Sequence, residues 1–220
     1  MKYRFTNRTG GASTGAFASA NLGFHVGDNP EQVAQNRAQL LEEFGPVAFM
    51  TQVHGDRVAV VEDVSDVDPT ADALVTGIQG ITLAVQVADC IPLLLHSPQA
   101  VAAVHVGRKG LVNGVALAAL EVMREMGSSE ITAIIGPSIC GPCYEVSQEI
   151  HDEVVALHPA AVAVTPQGTP ALDLPAALRA VLESAGIPIL DESRCTLENT
   201  DLYSYRRDGI TGRQAGIISL

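Results

Sequence analysis

Between residues 47 and 106 the chain passes through six short apolar runs: Val47–Val53, Val58–Val61, Ala73–Val75, Ile81–Val87, Ile91–Leu95 and Val101–Val106. Gly, Asp and Pro breaks separate them. Runs of this length with such boundaries read as strands buried in a sheet-rich centre. Helical patterns fall around them. Pro30 suits the first position of a helix reaching Phe44, with Asp28 or Asn29 as cap and Gly45-Pro46 as stop. A second helix is expected over about Asn113 to Met126, with a broad apolar surface from Val115 to Met123, and a strand over Ile131 to Ile135. Helices near Ser147 to Leu157 and Leu174 to Ala185, and a closing strand at Ala215 to Leu220, complete the pattern. Strands in the middle and helices at intervals predict an α+β layered sandwich with a central mixed sheet flanked by helices. There is no GxGxxG after the first strand, no GxxxxGK[ST] and no internal repeat, so Rossmann and P-loop folds lack their signatures.

A chain of 220 residues, 47% hydrophobic, can bury one substantial core, and no long polar linker divides it; residues 1–220 read as a single domain. The start, Met1 to Thr6, has no apolar signal core, and no run reaches the ~20 apolar residues of a membrane span. A cytoplasmic protein with no membrane partner is expected. Four cysteines are too few for a disulfide scaffold of this size, which fits a reducing compartment. A net charge of −12 opposes binding to nucleic acid, which relies on Lys and Arg neutralising phosphates. Oligomeric state, monomer or homodimer, is left open.

Two histidines and a cysteine end or interrupt the apolar runs where a structural strand would carry Val, Ile or Ala. They are His54 in Thr51-Gln52-Val53-His54-Gly55, Cys90 in Ala88-Asp89-Cys90, and His105 in Val104-His105-Val106. Imidazole and thiolate suit a borderline-soft cation, and three protein ligands with a vacant fourth position describe a catalytic zinc site. The intervals are wide, 35 residues and then 14, so spacing alone does not vouch for a metal. A Cys nucleophile with a His base, or three satisfied core residues, fit the same letters.

Other polar features are less specific. Gly107-Arg108-Lys109-Gly110 follows the His105 strand, where amides and basic side chains could meet an anion or simply form a strand-to-helix turn. Cys140 and Cys143 form a CxxC without a thioredoxin-like context. A zinc clip there needs two further ligands, and Cys195 alone does not supply them. His25, in a Gly-rich loop, is a pocket candidate; His96, His151 and His158 read as strand-edge or surface residues. Arg206 and Arg207 read either as solvated loop charges paired with Asp201 or Asp208, or as part of an anion site.

Several segments, in order, carry a resemblance. Gln52-Val53-His54-Gly55, Ala71 to Thr76, Ala88-Asp89-Cys90-Ile91-Pro92 and Val101 to Gly110 stand at the centre. Asn21 to Asp28 and Asn36-Arg37 precede them; Ile135 to Ile139, Cys143 to Val146, Tyr203 to Gly209 and Thr211-Gly212-Arg213 follow. The whole chain thus resembles the YfiH/laccase-domain family of purine nucleoside phosphorylases. The resemblance implies phosphorolysis of adenosine, inosine and S-methyl-5'-thioadenosine by inorganic phosphate, together with adenosine deamination. By position it implies a zinc-binding catalytic trio of His54, Cys90 and His105, with Asn36, Arg37, Gln52, Arg108 and Arg213 contacting substrate or phosphate. Zinc's effect on the acidity of water gives the deamination a direct logic. Copper, behind the older laccase name, is the alternative cofactor, but a laccase needs about ten His ligands; this chain has six His. A non-enzymatic metal-binding module is the other alternative. The family usually shows Gly-Trp-Arg-Gly where this chain has Arg108 and Lys109, which keeps positive charge but removes a flat apolar surface and a bidentate fork.

Overall fold

The computed structural model describes residues 1–65 and 67–220. Strand β1 (Lys2–Phe5) and a loop precede helix α1 (Pro30–Phe44). Six strands follow: β2 (Val47–Ala48), β3 (Val58–Val60), β4 (Ala73–Thr76), β5 (Thr82–Val87), β6 (Ile91–His96) and β7 (Val101–Val106). Then come α2 (Arg108–Asn113), α3 (Val115–Glu125), β8 (Thr132–Ile135), α4 (Gln148–Leu157), β9 (Val162–Val164) and β10 (Pro170–Leu172). The chain ends with α5 (Leu174–Ser184), β11 (Ile189–Asp191), α6 (Tyr205–Asp208) and β12 (Gln214–Ser219).

Among the described residues the strands form a four-stranded sheet, β1-β12-β5-β2, a six-stranded sheet, β11-β8-β6-β7-β4-β3, and the separate pair β9 and β10. Both larger sheets are mixed: β2 and β5, β3 and β4, and β8 and β11 are parallel, and the other pairs antiparallel. The α+β layered sandwich is therefore present, with two apposed sheets where the sequence pattern pointed to one central sheet. Side-chain alternation explains the difference. Leu74, Leu94, Val101 and Ala103 of one sheet meet Leu83, Val85 and Ile218 of the other. Their neighbours Val75, Leu93, Leu95, Ala102 and Val104 point the opposite way, onto Leu111, Leu120, Met123, Leu178 and Leu182 of the helices. Helix α1 covers the outer face of the four-stranded sheet through Leu40 and Phe44 against Ala84 and Ile217. With both faces of each sheet covered, the central strands read as continuous apolar runs, and such runs do not reveal which face meets a helix and which a second sheet.

Local signals hold at several ends. The Asn29 side chain accepts the Glu31 N–H, Pro30 opens α1, and Gly45 ends it at φ 76°. Elsewhere the boundaries move. The run expected over 47–53 is a strand only at Val47–Ala48, after which the chain leaves the sheet toward His54. The helix expected from Asn113 begins at Arg108 and breaks at Gly114, whose φ of 80° interrupts the ladder between α2 and α3. The short strands β1, β9, β10 and β11 and the single turn α6 carry no pattern that marks them in the sequence. Among the described residues no helix is long and apolar enough to cross a membrane.

Candidate metal centre and active-site cleft

The site lies where β5 and β7 end and β6 begins, at the rim of the layer between the sheets. His105 shares a face of β7 with Val101 and Ala103, so its side chain points into that layer and is buried. Asp72, fully buried just before β4, organises this corner. Its carboxylate accepts N–H groups of Val53 at 3.2 Å, His54 at 2.9 Å and Gly55 at 2.7 Å, and its Oδ1 lies 2.8 Å from His105 Nδ1. Its own carbonyl accepts the His105 N–H at 2.7 Å. The turn closed around this carboxylate holds His54 at φ 62°, a left-handed conformation uncommon for a residue with a Cβ. The T-shaped packing of the His54 and His105 rings, with centroids 4.7 Å apart, follows from this shared anchor.

Cys90 arrives from the β5–β6 connection through a second strained residue, Asp89, at φ 93°. Asp89 is over-determined, as such a conformation requires. Its carboxylate accepts from Thr196 Oγ1 and from the Arg206 N–H, each at 2.6 Å, and its carbonyl accepts the Ile139 N–H at 2.9 Å. Cys90 Sγ stands 3.8 Å from His54 Nε2, and the three ligand atoms of His54, Cys90 and His105 all lie within 4.8 Å of one another. Donors around a tetrahedral ion, with bonds of about 2.3 Å to sulfur and 2.0–2.1 Å to nitrogen, stand roughly 3.6 Å apart. The donor set therefore fits a metal. Gly107 leaves the space: a Cβ there would come 2.9 Å from His54 Cδ2 and 3.1 Å from Cys90 Sγ.

The electrostatics agree with a site built for a cation. Burial alone would push the Asp72 carboxyl up, but the His105 ring and the Gly55 and Val53 amides outweigh it and hold it at about 2. Burial also opposes charge on Cys90 and His105. Their mutual attraction wins, bringing the thiol down to about 6 and, with Asp72, the imidazole up to about 9. This attraction favours the thiolate of Cys90 together with the imidazolium of His105. With Nδ1 donated to Asp72, His105 keeps Nε2 for an ion, an arrangement in which a carboxylate fixes the tautomer of a ligand.

The trio occupies one end of a cleft of about 740 Å³. Arg37 and Arg213 line it as well, with His25, Gln52, Tyr144 and Tyr205 among the other walls. The Arg37 guanidinium carbon lies 3.6 Å from the centroid of the Phe49 ring and 4.5 Å from that of Phe24, and its Nε donates to the Leu22 carbonyl at 2.9 Å. Arg213 donates to the carbonyls of Thr211 and Gly212. Burial brings Arg37 down to about 10 and lowers Arg213, leaving both charged near neutrality. Burial and these two cations lower His25. Among the described residues neither arginine makes an ion pair.

Other predicted residues are placed differently. Gln52 lines the cleft, but its amide is engaged with the Gln86 backbone, accepting its N–H at 2.9 Å and donating to its carbonyl at 2.8 Å. Asn36 is buried away from the cleft: its carbonyl accepts the Ala12 N–H and its amide donates to Ser13 Oγ and the carbonyls of Ser19 and Asn21. Arg108, first residue of α2, acts on the Tyr144 hydroxyl and is not among the residues lining the cleft. Arg206 does line it, stacked 5.1 Å from the Tyr144 centroid, whereas Arg207 is tied to Asp208 and to the carbonyls of Thr196, Asn199 and Leu202. Asp72 falls inside the segment Ala71 to Thr76, and a lone carboxylate at the edge of the run 73–75 is the sequence signal that marks it.

The profile of the family described as multi-copper polyphenol oxidoreductase laccase matches residues 2–220. The chain belongs to that family. It is 46% identical to a purine nucleoside phosphorylase of Streptomyces coelicolor, over 99% of this chain and 95% of the relative. It is 44% identical to one of Corynebacterium glutamicum, over 98% and 93%. An adenosine deaminase, RL5, from an unknown prokaryotic organism is 36% identical over 89% of this chain and 84% of its own length. Among solved structures, a Neisseria meningitidis protein described by the family name DUF152 superposes with a TM-score of 0.90 at 37% identity, covering 98% of this chain and 92% of that one.

Proposed function

We propose that this chain is a purine nucleoside phosphorylase. It cleaves adenosine, inosine and S-methyl-5'-thioadenosine with phosphate to the free base and (methylthio)ribose 1-phosphate, with adenosine deamination as a side activity. The names of its relatives support the class of enzyme. The observation that carries the reading in the molecule is a single cleft lined by a His54/Cys90/His105 donor set and by the guanidinium groups of Arg37 and Arg213, which make no contact ion pair among the described residues. Among the described residues neither cation makes a contact ion pair, although Asp68 acts on Arg37 and Cys90 and Asp89 act on Arg213 at longer range; a small anion such as phosphate would supply the contact partner.

In phosphorolysis the C1'–N9 bond breaks, a phosphate oxygen bonds to C1', and the departing purine takes up one proton. Arg37 and Arg213 would hold the attacking anion in place, which converts an encounter into a positioned reaction. The aromatic walls Phe24, Tyr144 and Tyr205 would cover the purine and exclude water. His54, Cys90 and His105 would hold a zinc ion, which when bound supplies Lewis acidity toward water or a substrate oxygen. Asp72 would keep the His105 proton on Nδ1, and the turn around Asp72 would keep His54 aimed at the same point. A multi-copper oxidase would require several His-rich centres, and among the described residues one metal-competent cluster contains histidine.

The test is incubation of metal-defined protein with each nucleoside, with and without phosphate, followed by chromatography of bases and sugar phosphates. Phosphate-dependent release of base with ribose 1-phosphate supports phosphorolysis, and phosphate-independent inosine from adenosine supports the deaminase. Absence of base release under saturating substrate and full metal, or copper-dependent oxidation of phenols instead, overturns the reading.

A further inference from the structure

A second cluster of soft ligands stands apart from the trio. Cys140, Cys143, Cys195 and Glu198 bring three thiols and a carboxylate oxygen within 4.8 Å of one another. They come from two turns with the same spacing, Cys140-Gly-Pro-Cys143 and Cys195-Thr-Leu-Glu198. In the first, Cys140 is extended at φ −82° and ψ 163°, and the Cys143 N–H donates back to the Cys140 carbonyl at 3.1 Å, folding the CxxC into a knuckle. In the second, the N–H and the side-chain amide of Asn199 both donate to the Cys195 carbonyl, closing a turn that returns Glu198 over Cys195.

The two turns are bound to each other. Ser138 donates its N–H to the Arg194 carbonyl and accepts that of Thr196, each at 3.1 Å, so Cys140 and Cys195 extend from one short parallel bridge. The Cys140 N–H points at Cys195 Sγ at 3.5 Å, and Cys143 Sγ lies 3.8 Å from Glu198 Oε1. All three cysteines are half-buried and none is in a disulfide. Sulfurs bound at about 2.3 Å to one tetrahedral ion stand roughly 3.8 Å apart, so the four atoms need only close by a fraction of their separation. Burial pushes the thiols of Cys140 and Cys143 up, with smaller contributions in each case from the other side chains of the cluster.

We propose that Cys140, Cys143, Cys195 and Glu198 form a closed, structural zinc site. Three thiolates and a carboxylate fill a tetrahedral shell and leave no position for a substrate, unlike the three-ligand set in the cleft. Zinc enters with release of the thiol protons, and no electron is transferred. The ion would pin together the two segments that hold Asp89 in its left-handed conformation. Ile139, which donates to the Asp89 carbonyl, precedes Cys140, and Thr196, which donates to its carboxylate, follows Cys195. The structural ion is thereby coupled to the placement of Cys90.

Metal per chain, measured by plasma mass spectrometry on protein expressed with zinc, separates the two clusters. The wild type, Cys143→Ser, Glu198→Gln and His105→Ala proteins are compared after dialysis against a weak chelator. One zinc equivalent lost in both Cys143→Ser and Glu198→Gln, and retained in His105→Ala, is the expected result. It stands whether or not the cleft itself binds zinc or turns over nucleosides. Glu198 is exposed, so its substitution does not threaten folding. Unchanged zinc in both Cys143→Ser and Glu198→Gln, or a non-reducing intact mass two hydrogens short with a disulfide mapped among the three cysteines, overturns the assignment.

Discussion

Asp72→Asn tests the cleft at its anchor, because the substitution keeps the shape and removes one of two acceptor oxygens. In the native protein Oδ1 serves the His54 N–H and His105 Nδ1, and Oδ2 serves the Val53 and Gly55 N–H groups. An asparagine can place its carbonyl at only one of these positions. With the oxygen at Oδ1, its NH2 confronts the Val53 and Gly55 N–H groups; these donors are only partly buried, so losing their acceptor costs about 1 kcal/mol each, the low end of the range for an unmade hydrogen bond. With the oxygen at Oδ2, the NH2 confronts His54 N–H and forces His105 to accept at Nδ1. The imidazole proton then moves to Nε2 and blocks the nitrogen left for an ion. Either orientation is expected to destabilise the metal-free protein by about 2 kcal/mol in urea titrations. Zinc affinity at the cleft should fall about 10- to 100-fold in chelator competition, the usual consequence of losing a carboxylate behind a histidine ligand. Because Asp72 is held at about 2, below the ordinary 3.8, its contribution is complete above about pH 4 and is lost as pH falls toward 2. The gap between wild type and variant must close over that window. An Asp72→Asn protein with wild-type urea midpoint and wild-type zinc affinity would refute the reasoning.

Other substitutions probe neighbouring steps. Gly107→Ala keeps an ordinary backbone, φ −84°, yet places a methyl 3.1 Å from Cys90 Sγ; chelator competition should show at least a tenfold loss of zinc affinity, about 1.4 kcal/mol, with the fold intact by circular dichroism. In metal-free protein, alkylation of Cys90 by iodoacetamide should rise with pH through a midpoint near 6, well below the ordinary thiol value of 9, and zinc should suppress it; a midpoint above 8 would contradict the thiolate–imidazolium pair. Arg37→Lys retains charge but loses the flat contact with Phe49 and the Nε bond to Leu22, so the KM for phosphate should rise several-fold in steady-state assays while the KM for nucleoside changes less. Gly136→Ala would drive a Cβ into the Phe5 ring, and overpacking of this kind should lower stability by about 1–3 kcal/mol in denaturant melts.

What the letters of the chain made legible follows from how local each cause is. Helix α1 was readable because Asn29, Pro30 and Gly45 act within one turn of its ends. The apolar runs marked the strands, but Leu94 facing a sheet and Leu93 facing helices look alike in sequence, so the second sheet stayed hidden. In the site, His54, Cys90 and His105 stood out as chemistry-bearing residues in apolar runs. Their convergence was not visible, because it depends on two left-handed residues and on Asp72, whose four donors come from segments up to 33 residues away. Asn36 shows where a motif match gives no direction: i and i+1 on a helix point to different surroundings, and while Arg37 lines the cleft the Asn36 side chain holds the loop 12–21. The CxxC was visible, but its partners Cys195 and Glu198 lie more than fifty residues downstream and are joined to it by the bridge at Ser138.

The same separation of scales bears on what the cleft admits. The chain carries a net charge of −12, which repels a polyanion at long range, while Arg37 and Arg213 stand partly buried inside the cleft and, among the described residues, make no contact ion pair. Screening over a Debye length of roughly 8 Å at physiological salt weakens the surface field but leaves the enclosed pair effective at contact distance. A small anion gains two cations on entering and exposes little charge to the acidic exterior. A strand of nucleic acid would gain the same two contacts and lay its remaining phosphates against carboxylates. Charge alone thus favours a free phosphate beside an uncharged nucleoside over a nucleic-acid end, and adding oligonucleotide at physiological salt should leave nucleoside turnover unchanged. Competitive inhibition by a short single strand at concentrations similar to the KM for phosphate would contradict that selection.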